Sequence, residues 1–313
     1  MRTKVTGHIS VACWTAMVVA LFLGLSACHR EPIYKESKKV EVHFEFDLSE
    51  NDTAMHVKPR KPSLMRVIFY DPVTHKKVTS LDCSDKGGKV YGLEGGVYDM
   101  LAYNNTTEYT EIKNEDNFDN ITAFTSQIPM KTDTLGVVVR EPDHLLVGRL
   151  LSVWVPHHSE EDTTVVLLAK MKTVMDSYYL QIDSLQGLEN ISSVDVYLTN
   201  HSGYNNIGPD RRSTTASTLH LTCGVDLERK CLCTRFCTFG KLPGRVGKAI
   251  LHITVTGPGG RTYDFEEDIT EQYENPSHIL RLVWKEIIRP KQESGFEPRV
   301  DEWDPEVIDI PIS

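Results

Sequence analysis

The 313-residue chain has almost no sustained helical pattern, because long amphipathic stretches with capping residues are nearly absent. A fold built on helices is therefore excluded. Positive charge is scarce: 34 Lys and Arg face 44 Asp and Glu, for a net charge of −10. A chain that grips phosphates needs a basic face, so the balance argues against a nucleic-acid partner. Beyond the N-terminus, no apolar run approaches the roughly 20 residues a helix needs to cross a bilayer. There is no H-E-x-x-H, no G-x-S-x-G and no phosphate-cradling glycine loop. Gly257-Pro258-Gly259-Gly260 joins two strand patterns, so it reads as a turn. No catalytic residue is therefore assigned. An envelope hydrolase with a triad assembled in space stays a third reading.

What is present is clearest at the N-terminus. Arg2 and Lys4 precede an apolar run from Val11 to Leu25, which closes in Leu25-Ser26-Ala27-Cys28. A basic start, a short apolar stretch and small residues before a cysteine make a bacterial lipoprotein signal. Residues 1–27 are then the signal peptide and residues 28–38 a lipid tether. Cys28 carries covalent diacylglycerol and N-acyl lipid, and no other cofactor is expected. Each buried methylene contributes about 0.8 kcal/mol, so two or three acyl chains hold a protein almost permanently. No aspartate follows Cys28, which favours the outer membrane. No acidic run follows it either, so the periplasmic and cell-surface faces both stay open.

The body reads as strands. Val40, Val42, Phe44 and Phe46 alternate with Glu41, His43 and Glu45, a half-buried strand by period. Leu64–Tyr70 is dense in branched and aromatic residues and stops at Asp71-Pro72. Lys89–Tyr91 and Val97–Tyr103 flank Leu93-Glu94-Gly95-Gly96, which predicts a hairpin. The polar stretch Asn114–Thr125 suggests a short helical turn, and Ser202–Ser217 a long loop. Ala249–Thr256 and Thr262–Phe265 predict a second hairpin about Gly257–Gly260. Asp268–Tyr273 is a short helix or a strand end, and Ile279–Ile287 the last long strand. Many short strands separated by Gly and Pro turns define an all-β class. The charged break from His157 to Asp162 divides the body into β-sandwich domains at 39–158 and 159–313, the second ending in an acidic tail.

Gly95-Gly96-Val97-Tyr98-Asp99-Met100-Leu101-Ala102-Tyr103-Asn104-Asn105 resembles the G-x-Y-x-hydrophobic-x-A-Y-N block of the fimbrillin-related lipoproteins of Bacteroides-type bacteria. Asn117-Phe118-Asp119, Glu141-Pro142-Asp143 and Thr238-Phe239-Gly240 resemble further blocks of that family. So do Gly295–Trp303 and the terminal Ile308-Asp309-Ile310-Pro311. The chain is most similar to the DUF5119-like subgroup, related to fimbrial anchors and minor subunits. The resemblance implies two tandem transthyretin-like β-sandwiches behind the signal peptide. It also implies a non-enzymatic outer-membrane lipoprotein serving fimbria anchoring or assembly. Its partners would be outer-membrane lipid and fimbrial subunits or other envelope proteins. The alternative is a surface glycan- or ligand-binding lipoprotein. Polymer-forming relatives are freed by cleavage at an arginine. Arg60 lies in a suitable loop, but an ordinary loop arginine is the better reading.

Five cysteines remain after Cys13 and Cys28: Cys83, Cys223, Cys231, Cys233 and Cys237. An odd number leaves at least one unpaired or paired between chains. Cys223, Cys231, Cys233 and Cys237 are candidates for structural disulfides. C-x-C-x3-C is not a common zinc spacing, so no metal is assigned. On a strand, Cys231 and Cys233 share a face but lie far apart for a bond to each other. His157 and His158 with Glu160, Glu161 and Asp162 read as a solvated linker. The acidic residues Asp301 to Glu306 read as an exposed tail rather than a calcium loop. Trp154, Tyr178 and Trp284 are candidates for a sugar platform, though aromatics on strands are usually core. Tyr98 and Tyr103 fall on opposite faces of one strand, one expected in the core and the other on the surface.

Overall fold

A computed structural model describes residues 40–49, 56–57, 61–130, 133–157, 163–244 and 247–290. The signal, Cys28, Arg60, His158, Glu160 to Asp162 and the tail beyond 290 lie outside the described residues. Strands make up 56% of the structure, with one short helix, as the strand-rich sequence requires.

Seven strands form the largest sheet. They are β1 (Glu41–Asp47), β2 (Met65–Tyr70), β3 (Lys77–Cys83), β4 (Gly88–Val90), β5 (Gly96–Asn104), β9 (Leu146–Val155) and β10 (Thr164–Thr173), in the order β3-β2-β5-β9-β10-β1-β4. Its two end strands, β3 and β4, are consecutive in the chain. The Gly87 N–H donates to the Ser84 carbonyl (3.1 Å) across their turn. The sheet thus curls until its edges approach, close to a barrel. Gly87 permits this. Its φ is 106°, and a Cβ there would lie 2.0 Å from the Phe44 carbonyl oxygen of β1.

This closure overturns the first predicted hairpin. β4 pairs with β1 (Val42 opposite Val90), whereas β5 pairs with β2 and β9. The Gly95-Gly96 turn signal is local, while the nine residues of β5 gain two long neighbours by leaving β4. The charged break likewise returns the chain to the same sheet. β10 pairs with β9 (Met171 opposite Gly148) and, in parallel, with β1. The expected division at 158/159 thus passes between two paired strands.

The inner face of this sheet buries Val42, Phe44, Val67, Phe69, Met100 and Met171. Its outer face buries Ile68, Tyr70, Leu101, Tyr103 and Val147 under a small second sheet. That sheet joins β6 (Thr110–Lys113) and β7 (Thr122–Thr125) to β13 (Tyr204–Asn206) and β14 (Arg211–Arg212), in the order β14-β13-β7-β6. Asn114–Thr125 is therefore the loop and second strand of a hairpin rather than a helical turn. Ser202–Ser217, expected as a loop, contains another hairpin. Polar strands concealed both: β13 and β14 hold only Tyr, Asn and Arg, and tertiary pairing of β13 with β7 fixes them. Tyr98 and Tyr103 do face opposite sides, but both are buried because each face is a core.

The C-terminal part is a sandwich. One sheet runs β16 (Gly224–Asp226), β17 (Cys231–Thr238), β11 (Asp176–Asp183), β20 (Ile279–Val283). The other runs β19 (Thr262–Asp268), β18 (Ile250–Thr256), β12 (Ser193–Ser202), β15 (Ala216–Thr222), β8 (Val138–Arg140). Alternate residues of each, such as Leu180, Leu232, Val196 and Ile253, fill the space between them. The predicted β18–β19 hairpin forms, Ile253 opposite Phe265. Helix α1 (Thr270–Glu274) places Tyr273 on Tyr178, ring centroids 4.8 Å apart. β8 comes from the N-terminal part of the chain and pairs in parallel with β15. The two halves therefore exchange strands as well as touching.

Two polar residues of the family-like blocks hold this crossing. The Asn104 side chain accepts the Leu146 N–H (2.6 Å) and donates to the His144 carbonyl (3.1 Å). The Asp143 carboxylate accepts three consecutive backbone N–H groups, from Glu108, Tyr109 and Thr110, at 2.6–2.9 Å. Both satisfy backbone groups where the chain leaves one sheet for another.

Candidate functional site

Of the four cysteines singled out in the sequence, Cys231, Cys233 and Cys237 lie on β17 and Cys223 just before β16. β16 and β17 form a hairpin in which Asp226 lies opposite Cys231 and Gly224 opposite Cys233. β11 flanks β17 on its other side, Ile182 opposite Leu232. Alternation sends Leu232 and Phe236 into the sandwich core and leaves Cys231 and Cys233 on the opposite face. Cys231 is nevertheless fully buried, while Cys233 and Asp226 are half-buried. The Asp226 carboxylate and the two Sγ atoms all lie within 4.8 Å of one another. Asp226 Oδ1 also accepts the Arg229 N–H of the turn (2.9 Å), and the exposed Arg229 guanidinium stands 3.7 Å from Oδ2.

Cys223, Cys231, Cys233 and Cys237, the candidates for disulfides, stand in the structure as free thiols, as does Cys83. Cys237 sits four strand positions from Cys233, about 13 Å at the usual rise, so no bond joins those two. Its backbone N–H donates to Glu141 (3.0 Å), and its thiol is pushed up to about 12 by burial and then by Glu141. Cys223 is held up to about 12 by burial first and Cys233 second. Cys231 is raised to about 11 by burial, then by Cys233 and Asp226. Cys83 lies on β3, in the other half.

Asp226 was not legible as a site residue. A single Asp before Leu-Glu-Arg-Lys looks like turn chemistry, and only the hairpin register places it against Cys231. The signal that could have found it is the four-residue spacing between Asp226 and Cys231, which suits a hairpin.

Besides a cleft of 600 Å³ lined by Lys113, Asp116 and Tyr204 among others, two clefts lie elsewhere among the described residues. One of 670 Å³ is lined by Asp176, Asn205, Asp210, Arg211 and Arg212, among others. Arg212 donates to Asp176 there (2.7 Å), and the Asn205 side-chain oxygen has no partner among the described residues. The other, of 400 Å³, holds Glu141, Asp143 and His144. Burial pushes Glu141 up to about 7 and His144 down to about 4. Glu141 and Asp143 both hold backbone N–H groups, so their evident work is structural. Of the three aromatic candidates, Tyr178 and Trp284 are core, the latter stacked on Phe265 at 5.0 Å. Trp154 is 63% exposed, beside the 43% exposed Val97 opposite it on β5. His157, the described part of the polar break, is exposed.

The profile of a domain of unknown function, DUF5119, matches residues 26–222. The chain belongs to the DUF5119 family. The matched segment includes Cys28 and the Asn104 and Asp143 crossing, and it ends just before Cys223. The cysteine hairpin of this DUF5119 chain thus lies outside it. No curated protein matches the sequence. Among solved structures the chain is similar to a candidate adhesin from Bacteroides ovatus, with 20% identity and a TM-score of 0.59 over 82% of this chain and 96% of that one. It is also similar to the fimbrial anchor protein Mfa2 from Porphyromonas gingivalis, with 17% identity and a TM-score of 0.50 over 78% and 90%. At these identities the likeness is one of fold.

Proposed function

We propose that this DUF5119 chain is a non-enzymatic, lipid-anchored outer-membrane protein that serves as a fimbrial anchor, minor subunit or assembly accessory. The observation that carries the reading is the fold likeness to the fimbrial anchor, which extends over most of both chains. The lipobox ending in Cys28 supports it, since it supplies the attachment an anchor needs. Residues 1–27 are removed as a signal peptide and 28–38 form the tether. The body behind them is a pair of transthyretin-like domains. In this reading the function is mechanical: acyl chains hold a rigid β body, and fimbrial subunits or other envelope proteins engage its surface.

Cys28→Ala should move the protein from the membrane fraction to the soluble envelope fraction. Continued tight membrane retention would sink the anchor reading. Mild-detergent extraction of the native protein should bring filament subunits with it.

One observation favours a second reading, a glycan-binding surface lipoprotein. Trp154 offers an exposed ring on a rigid strand, the kind of surface on which sugars stack. On a glycan array, binding that Trp154→Ala abolishes would favour this reading. Binding indifferent to that change would remove it.

A further inference from the structure

We propose that Asp226, Cys231 and Cys233 form a zinc site at the β16–β17 hairpin. Two thiols from alternate positions of one strand and a carboxylate from the position opposite are set on one face by the register alone. Their ligand atoms lie within 4.8 Å of one another. Two ligands of a tetrahedral zinc ion stand about 3.8 Å apart at a metal–sulfur distance of about 2.3 Å. The observed spread of the ligand atoms therefore exceeds that spacing by no more than about 1 Å. Two soft thiolates select zinc over magnesium or calcium, and the harder carboxylate suits zinc better than monovalent copper. The fourth tetrahedral position is left to water.

A plain turn explains only part of this arrangement. Asp226 capping the Arg229 N–H is ordinary turn chemistry, but it gives no reason for two thiols beside the carboxylate. A bond between Cys231 and Cys233 is a poor alternative. Positions i and i+2 on a strand lie about 6.6 Å apart, at the far limit for a disulfide. The site also has a structural use. β16 is three residues long and forms the edge of its sheet, paired on one side only. A metal bridging Asp226 to Cys231 and Cys233 would pin this short edge to β17.

The test titrates zinc into the reduced, full mature chain against a chromophoric chelator, with cobalt as a spectroscopic probe. One zinc per chain should bind with release of protons, and cobalt should give thiolate charge-transfer absorption. Cys231→Ser with Cys233→Ser should weaken binding more than about 100-fold, and Asp226→Asn about tenfold or more. Cys83→Ser with Cys237→Ser should leave it unchanged. Because Cys231 is buried, its replacement could unfold the hairpin. Asp226→Asn, at a half-buried site, keeps the test decisive. Zinc binding indifferent to Asp226→Asn and to the double serine change would overturn the proposal. So would mass spectrometry of the native protein that finds Cys231 or Cys233 in a disulfide, the competing fate of thiols in an oxidising compartment.

Discussion

β5 and β18 are both central strands, yet they are buried in opposite ways. From Tyr98 to Asn104 every residue of β5 is buried, because one face meets the inner core of the curled sheet and the other meets the small sheet above it. On β18 burial alternates: Leu251, Ile253 and Val255 face the sandwich, while His252 and Thr254 meet Glu266 and Asp264 of β19 at the surface. A strand buried on both faces loses its period, since neither face needs to be polar. The difference teaches that the N-terminal half is held from two sides, and that its second cover is built partly from the C-terminal half.

The contrast predicts different responses to mutation. Met100→Ala and Leu101→Ala, neighbours on β5, should each cost about 2–5 kcal/mol in urea unfolding of the Cys28→Ala protein. On β18, Leu251→Ala should cost as much, but its neighbour His252→Ala only about 0.5 kcal/mol or less. A mild effect of Leu101→Ala would mean that the small sheet does not cover β5 in solution.

The polar crossing sharpens the same comparison at smaller scale. Asn104→Ala removes two hydrogen bonds at the end of β5 and leaves the buried Leu146 N–H without its acceptor. The expected loss is about 1–3 kcal/mol, read as a lower urea midpoint.

A pH-dependent effect should come from Glu141, whose contact with the Cys237 N–H joins β17 to the segment after β8. Burial raises its folded pKa to about 7 against an ordinary 4.5. The folded state then holds a proton that the unfolded state has released. Stability should therefore fall as pH rises from 4.5 to about 7 and level off above. Glu141→Gln should remove that slope, and parallel profiles for the two proteins between pH 4.5 and 8 would contradict the burial.

The parts of the fold that could be read from residues were those with local causes. Alternation marked β1, and Gly257–Gly260 marked the β18–β19 turn, because each signal sits within the element it describes. The Gly95-Gly96 signal misled, since a turn residue permits a hairpin without choosing the partner strand. β13 and β14 were hidden because Tyr, Asn and Arg carry no apolar period. At the site, the cysteines were visible as residue types, whereas Asp226 became relevant only through register.

By itself, the sequence determined the all-β class and most strand positions. These rest on the period of side chains and on short motifs read along the chain. The tertiary structure alone decided that β4 closes onto β1, that β10 stays with β9, that β8 crosses to β15 and that Asp226 faces two thiols. Such pairings join residues far apart in sequence. They are chosen by which apolar faces can be covered together, a property of the whole body that no local stretch carries.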